Sequence, residues 1–296
     1  MASFRTRLIK LAISPFFSRW HQGTIQDQRA RQEKMTRLVV PSSETTSRIE
    51  RIDHLKVEWI IPDKPAGTIL YLHGGAYTLG SIKTHRSLAS MLANHTQMQV
   101  LLPEYRLAPE APFPAGLEDA AAAYRWLLKN GISADELIIA GDSAGGGLAL
   151  ATLLQLRDTD RRLPAGAVLL SPWTDLTMSG KSARSKAHLD FILNCKHLTR
   201  MAQLYAGGQD LHHPLISPVF ADLSDLPPIL IQVGTDEILL DDATRLAGRA
   251  EKDGCEITLE IFDGMFHAFH MFPFIRETRQ AFQSIAIFSH KITRPD

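Results

Sequence analysis

The chain has 296 residues, with 32 Lys and Arg against 32 Asp and Glu and a formal net charge of zero. That balance suggests neither nucleic acid nor a strongly acidic partner. The chain is 45% hydrophobic, enough for one large core, and its two cysteines, Cys195 and Cys255, are too few for a disulfide framework. Reduced thiols and a cytoplasmic location follow as the expectation.

Residues 1 to about 45 read as helical with mixed polarity. Met1 to Trp20 is basic and apolar, through Arg5, Arg7, Lys10 and "LAISPFF". The apolar run is short, broken by Pro15 and followed by no A-x-A site, so it lacks the parts of a signal peptide. It also falls far below the ~20 residues that span a bilayer. Phe4, Leu8, Leu11 and Ile13 lie near helical spacing, which predicts an amphipathic helix packed on the protein, with no stable membrane anchor.

From Arg48 to Ile61 apolar residues alternate, as in strands with one wet face. The rhythm then changes to short apolar runs: "TILYLHG", "VLLPEY", "LIIAGD", "AVLLSPW" and "ILIQVGTDE". Strands buried on both faces have this character. Helical patterns lie between them, at Thr84–His95, Ala115–Lys129, Ser143–Arg157 and Asp241–Lys252. Strands alternating with helices predict an α/β fold, with a mostly parallel sheet covered by helices on both faces. From about Thr177 to His213 the alternation stops, leaving two short helical patterns around Ala183 and Leu198. An insertion at the C-terminal end of a strand lies near the site in such a sheet.

The stretch "LIIAGDSAGGGLALA", Leu137 to Ala151, holds G-x-S-x-G from Gly141 to Gly145. Alone the pattern is weak. Here a strand precedes it and a helix follows, and the two glycines leave room for a sharp corner that lifts Ser143 above the sheet. Free N–H groups and the helix dipole favour negative charge there. A dinucleotide-binding turn would need G-x-G-x-x-G and a downstream acid, which are missing.

A serine nucleophile needs a base, and the base an orienting acid, in the chain order Ser, acid, His. Asp236 follows the strand ending near Gly234 and is the better-placed acid; Asp241 and Asp242 fall in the next helix. Ile257–Phe262 alternates as a strand, Asp263 and Gly264 turn it, and His267 stands on the loop beyond. His270 is the nearest competitor, one helical turn further on. For the oxyanion, the strand Thr68–Leu72 runs into His73, Gly74, Gly75 and Ala76, where glycines let backbone N–H groups approach a substrate. Gly74, Gly75 and Ala144 N–H form the expected oxyanion hole, with His73 bracing the loop. His212 and His213 adjoin but lack a metal-ligand set.

Taken together, "HGGAY" (73–77), "EYRLAPEAPFPAGLEDA" (104–120), "GDSAGGGLA" (141–149), "LSPWTDL" (170–176), "DEILLDD" (236–242) and His267 in "DGMFHAF" resemble the hormone-sensitive lipase family of α/β-hydrolases, the bacterial family IV esterases. The resemblance spans residues 70 to 270 in the family's order. It implies an α/β-hydrolase fold with a central sheet of about eight strands and a helical cap. Residues 1–45 and 177–213 would build the cap, and 46–176 and 214–296 the two parts of the core. It implies a carboxylic ester hydrolase for short- to medium-chain acyl esters, with Ser143, Asp236 and His267 as the triad and no metal or cofactor. Many members are homodimers. The family's third glycine is Ala76 here, and Asp142 reads as local support for the nucleophile. Amidases, lactonases and carbamate hydrolases use the same machinery. Plant gibberellin receptors resemble the family but have lost the catalytic histidine, which this chain keeps as His267.

Overall fold

The computed structural model describes residues 4–17, 21–35, 44–160 and 162–293. Within them lies one eight-stranded sheet in the order β1-β2-β4-β3-β5-β6-β7-β8. Its strands are β1 (Thr45–Ile52), β2 (Leu55–Pro62), β3 (Thr68–Leu72), β4 (Gln99–Pro103), β5 (Leu137–Asp142), β6 (Gly166–Leu170), β7 (Ile229–Gly234) and β8 (Ile257–Phe262). Arg48 to Ile61 resolves into the antiparallel hairpin β1–β2, turned at Asp53 in the left-handed region (φ 52°). Strand β2 pairs antiparallel with β4; every later pairing is parallel.

Residue parity along the strands divides the core. Leu70, Leu72, Ile139, Leu169 and Ile231 face one side, packed with α4 (Ala115–Lys129), α5 (Ala144–Thr159) and α8 (Leu240–Lys252). Ile69, Tyr71, Ile138, Val168 and Leu230 face the other, packed with α3 (Ile82–Thr96) and α9 (Arg276–Thr293). Side chains of a strand alternate between faces, so a strand covered on both sides is apolar throughout. This explains the continuous apolar runs of β3 to β7.

The remaining helices are α1 (Phe4–Phe17), α2 (Ile25–Met35), α6 (Ser182–Ser185) and α7 (Cys195–Ala206). The N-terminal segment and the insertion touch. Phe17 packs edge-on to Phe191 with ring centroids 5.8 Å apart. His21 Nε2 lies 2.8 Å from the Ile192 carbonyl, and its ring lies 4.3 Å from that of His197. Ile9 and Ile13 pack on the cluster of Phe17, Ile192, Phe266 and Phe269. Leu11, expected on the same face as Ile13, points to solvent at 73% exposure. The side chains of Arg5, Arg7, Phe4 and Leu8 and the whole of Met1 and Trp20 lie outside the described residues. Among the described residues no helix is long and apolar enough to cross a membrane.

Candidate active site

Ser143 stands between the end of β5 and the first turn of α5, at φ 53° and ψ −122°. A non-glycine residue held there is strained, and such strain persists only where the surroundings over-determine it. Those surroundings are visible. Ser143 N–H donates to the Leu170 carbonyl at 2.8 Å, and Trp173 N–H donates to the Ser143 carbonyl at 2.9 Å. A Cβ on Gly141 would run into the Gly145 carbonyl, and one on Gly145 into the Leu72 carbonyl. The glycines flanking the serine are therefore required by the close approach of strand, turn and helix.

His267 lies in the loop after β8 and is almost fully buried. The chain crosses toward β6 there, since Ala268 N–H donates to Ser171 Oγ at 3.3 Å. Strands β5, β6, β7 and β8 are neighbours, so Ser143, Ser171, Glu237 and His267 all stand past the C-terminal ends of adjacent parallel strands. This is the edge at which open α/β sheets carry their sites.

The acid facing His267 is not Asp236. Glu237 Oε2 lies 2.8 Å from His267 Nδ1. A carboxylate only accepts, so Nδ1 carries the proton and Nε2 is the basic nitrogen. Glu237 Oε1 accepts from Gly234 N–H at 2.7 Å and from Ser171 Oγ at 2.8 Å, and the residue is fully buried. Asp236 turns the other way. Its backbone N–H bonds the Met265 carbonyl at 2.9 Å, and its carboxylate pairs with Lys10 of α1. The physical reason is the turn after β7: Glu237 folds back to cap Gly234 N–H, and its longer side chain thereby points into the site. The one sequence signal was the Asp-Glu doublet itself, and a doublet does not say which member points inward.

Burial works against a charged His267. The hydrogen bond and charge of Glu237, with Asp190 and Asp142 further off, outweigh it and raise the imidazole above its ordinary value. His270, the competitor, is buried with Nε2 on Gln232 Oε1 at 3.0 Å, and burial pushes it down to about 3. It is held neutral.

The loop His73–Gly80 faces the elbow. Gly75 (φ 123°), Ala76 (φ 52°) and Tyr77 (φ 59°) are in the left-handed half of backbone space. Such turns aim successive N–H groups into one concavity. Gly74 N–H does not take part, because it donates to Asp142 Oδ1 at 2.9 Å. Among the described residues no acceptor engages Gly75 or Ala76 N–H. Ala144 N–H is the first of α5, one of the four that a helix leaves without an internal partner. The donors the geometry offers are thus Gly75, Ala76 and Ala144, one residue displaced from the expected Gly74, Gly75 and Ala144.

Asp142 is buried beneath the serine. Tyr71 Oη donates to its Oδ1 at 2.6 Å, and His85 Nε2 lies 3.4 Å from Oδ2. Burial alone would raise this carboxyl, but the His85 charge and these hydrogen bonds hold it well below the usual range. His73 Nδ1–H donates to the Gly74 carbonyl at 2.9 Å, and Tyr105 Oη donates to the His73 carbonyl at 2.6 Å. Burial takes His73 down to about 3. It braces the loop as a neutral ring stacked on Tyr105. From α2, Arg29 donates to the Thr78 and Ala108 carbonyls at 2.8 and 3.0 Å. Among the described residues no three His, Cys, Asp or Glu side chains are grouped to hold a metal.

Comparison with known proteins identifies the family. A family model described as the alpha/beta hydrolase fold matches residues 69–271. An esterase from the bacterial hormone-sensitive lipase family superposes with a TM-score of 0.93 at 39% identity, covering 99% of this chain and 100% of its own. The chain belongs to the α/β-hydrolases, in the hormone-sensitive lipase family. An acetyl-hydrolase of Streptomyces hygroscopicus is 43% identical to this α/β-hydrolase over 282 residues, 93% of each chain. An esterase of Acinetobacter venetianus is 41% identical over 224 residues, 75% of this chain and 74% of its own. A structure of the esterase EstE5 soaked with p-nitrophenyl butyrate has a TM-score of 0.88 at 41% identity, covering 92% of both chains.

Proposed function

We propose that this enzyme hydrolyses carboxylic esters of short- to medium-chain acids through an acyl-enzyme on Ser143. The observation that carries the reading is the Glu237–His267 hydrogen bond, formed past the ends of strands in the same sheet whose β5 ends in the strained Ser143 corner. His267 Nε2 takes the Ser143 proton as Oγ attacks the ester carbonyl. Gly75, Ala76 and Ala144 N–H groups stabilise the oxyanion, each donor worth about 3 kcal/mol in the transition state. Glu237 fixes the His267 tautomer and stabilises the imidazolium, which then protonates the leaving alcohol. His267 next activates water against the acyl-enzyme, releasing the acid. Every atom of this cycle comes from the chain, the ester and water.

Residues 1–45 and 177–213 serve as the cap. Phe17, Phe191 and Phe266 support that role, because they form a run of ring contacts from α1 through the insertion to the residue before His267. Such a wall limits acyl length. Two free cysteines fit a reducing cytoplasm. The test is mass spectrometry of protein treated with a fluorophosphonate. A single adduct on Ser143, lost in Ser143→Ala together with p-nitrophenyl butyrate hydrolysis, supports the reading. Full hydrolysis by Ser143→Ala defeats it.

A further inference from the structure

The insertion carries a carboxylate into the interior beside the proposed acid and base. Asp190 lies between α6 and α7 and is only 7% exposed. Its Oδ2 accepts from Ile238 N–H at 2.9 Å, on the residue directly after Glu237. Its Oδ1 accepts from Ile192 N–H at 3.0 Å and Leu193 N–H at 2.8 Å. Burial raises this carboxyl above its ordinary value, and the His267 charge and the backbone donors work against that rise. The Ile238 bond joins the cap insertion to the turn that aims Glu237, and the Ile192 and Leu193 bonds fix the segment that packs on Phe17 and Phe266.

We propose that Asp190 is a positioning residue for the reaction: a second carboxylate, delivered by the cap, that holds the Glu237 turn and sets the electrostatic surroundings of His267. This rests on the serine–histidine–glutamate reading above. The other charged or titratable groups facing His267 are Glu237 from the turn after β7, Asp142 from the end of β5 and His270 from the turn that follows it. Those facing Asp190 are His267, Glu237 and Cys195. Glu237 makes the direct hydrogen bond, and Asp190 acts through the turn and through space. A cap residue wired in this way ties the seating of the cap to the basicity of the histidine.

The test is an NMR titration of His267 in wild type, Asp190→Asn and Glu237→Gln, with the pH profile of kcat/KM for p-nitrophenyl butyrate alongside. Asp190→Asn keeps the shape and removes the charge. Loss of a negative neighbour lowers the imidazole pKa, so the His267 titration and the acid limb of kcat/KM should both move to lower pH by about 0.5 or more. KM should stay within about twofold, since Asp190 does not touch substrate, and Asp190→Glu should recover part of the shift. A His267 titration in Asp190→Asn identical to wild type overturns the proposal. The titration needs no turnover, so it stands apart from the Ser143→Ala result: activity surviving in Ser143→Ala sinks the mechanism, whereas an unmoved His267 sinks only the role of Asp190.

Discussion

Glu237 Oε2 lies 2.8 Å from His267 Nδ1, while Asp236, one residue earlier, is paired with Lys10 on α1. Adjacent carboxylates thus serve different ends. One hydrogen-bonds the proposed base, and the other ties the N-terminal helix to the turn after β7. The pair with Lys10 is about one-fifth exposed on both sides, so its worth to stability is modest, about 1 kcal/mol.

With His267 as the proposed base, its raised pKa fixes the expected pH dependence. The base works only when Nε2 is free of a proton. Activity is therefore predicted to fall as pH drops through a midpoint above the 6.5 of an ordinary histidine. Glu237→Gln removes the main raising influence, so any residual activity in that variant should persist to lower pH. A kcat/KM profile from pH 5 to 9 checks both; a flat profile counts against a histidine base.

Asp142 joins the elbow to the oxyanion loop through Gly74 N–H and pairs with His85 below. Asp142→Ala leaves these buried partners unsatisfied and is predicted to destabilise the fold by about 3 kcal/mol. The sign of its own linkage is fixed by its depressed pKa. The ionised group contributes stability above its unfolded value near 3.8, and that contribution is lost as pH falls toward the folded value. Urea unfolding of wild type and variant between pH 7 and pH 3 measures it: the gap between the two should narrow on acidification.

Gly75 and Ala76 make opposite predictions. A side chain at position 75 meets both a φ of 123° and the Leu79 backbone, so Gly75→Ala should lose at least about 100-fold in kcat by displacing the donors. Ala76 at φ 52° already bears left-handed strain. Ala76→Gly removes that strain at an entropic cost of similar size, so kcat/KM should stay within about threefold and stability within about 1 kcal/mol. Kinetics and thermal melts of the two variants check this pair.

Phe191 stands between Phe17 of α1 and Phe266, with ring centroids 5.8 and 5.0 Å away. Phe191→Ala opens this wall and is predicted to raise hydrolysis of decanoate relative to butyrate esters several-fold. An unchanged acyl-length profile places the wall away from the acyl group.

Much of the fold was legible because burial and period agree. The runs of β3 to β7 are apolar since both faces are covered, and Ala115–Lys129 appears with the predicted bounds. The C-terminal helix Arg276–Thr293 had no place in the expected elements, although Phe282 and Ile285 help close the second core. In the site, Ser143 and His267 follow from strand ends and turn glycines. The carboxylate that faces His267 and the loop N–H groups left without an acceptor each lie one residue from those expected. Both differences concern where a group points, Glu237 through its fold back onto Gly234 N–H and Gly74 through capture of its N–H by Asp142. Order along a chain does not encode those directions.

The most direct measurement is the rate of p-nitrophenyl butyrate hydrolysis by wild type, Glu237→Gln and Asp236→Asn, each first shown to be folded. The Glu237–His267 pair predicts a fall of about a thousandfold or more in kcat for Glu237→Gln, with Asp236→Asn within about threefold of wild type. Loss of activity in Asp236→Asn with Glu237→Gln near wild type would contradict the assignment of the acid.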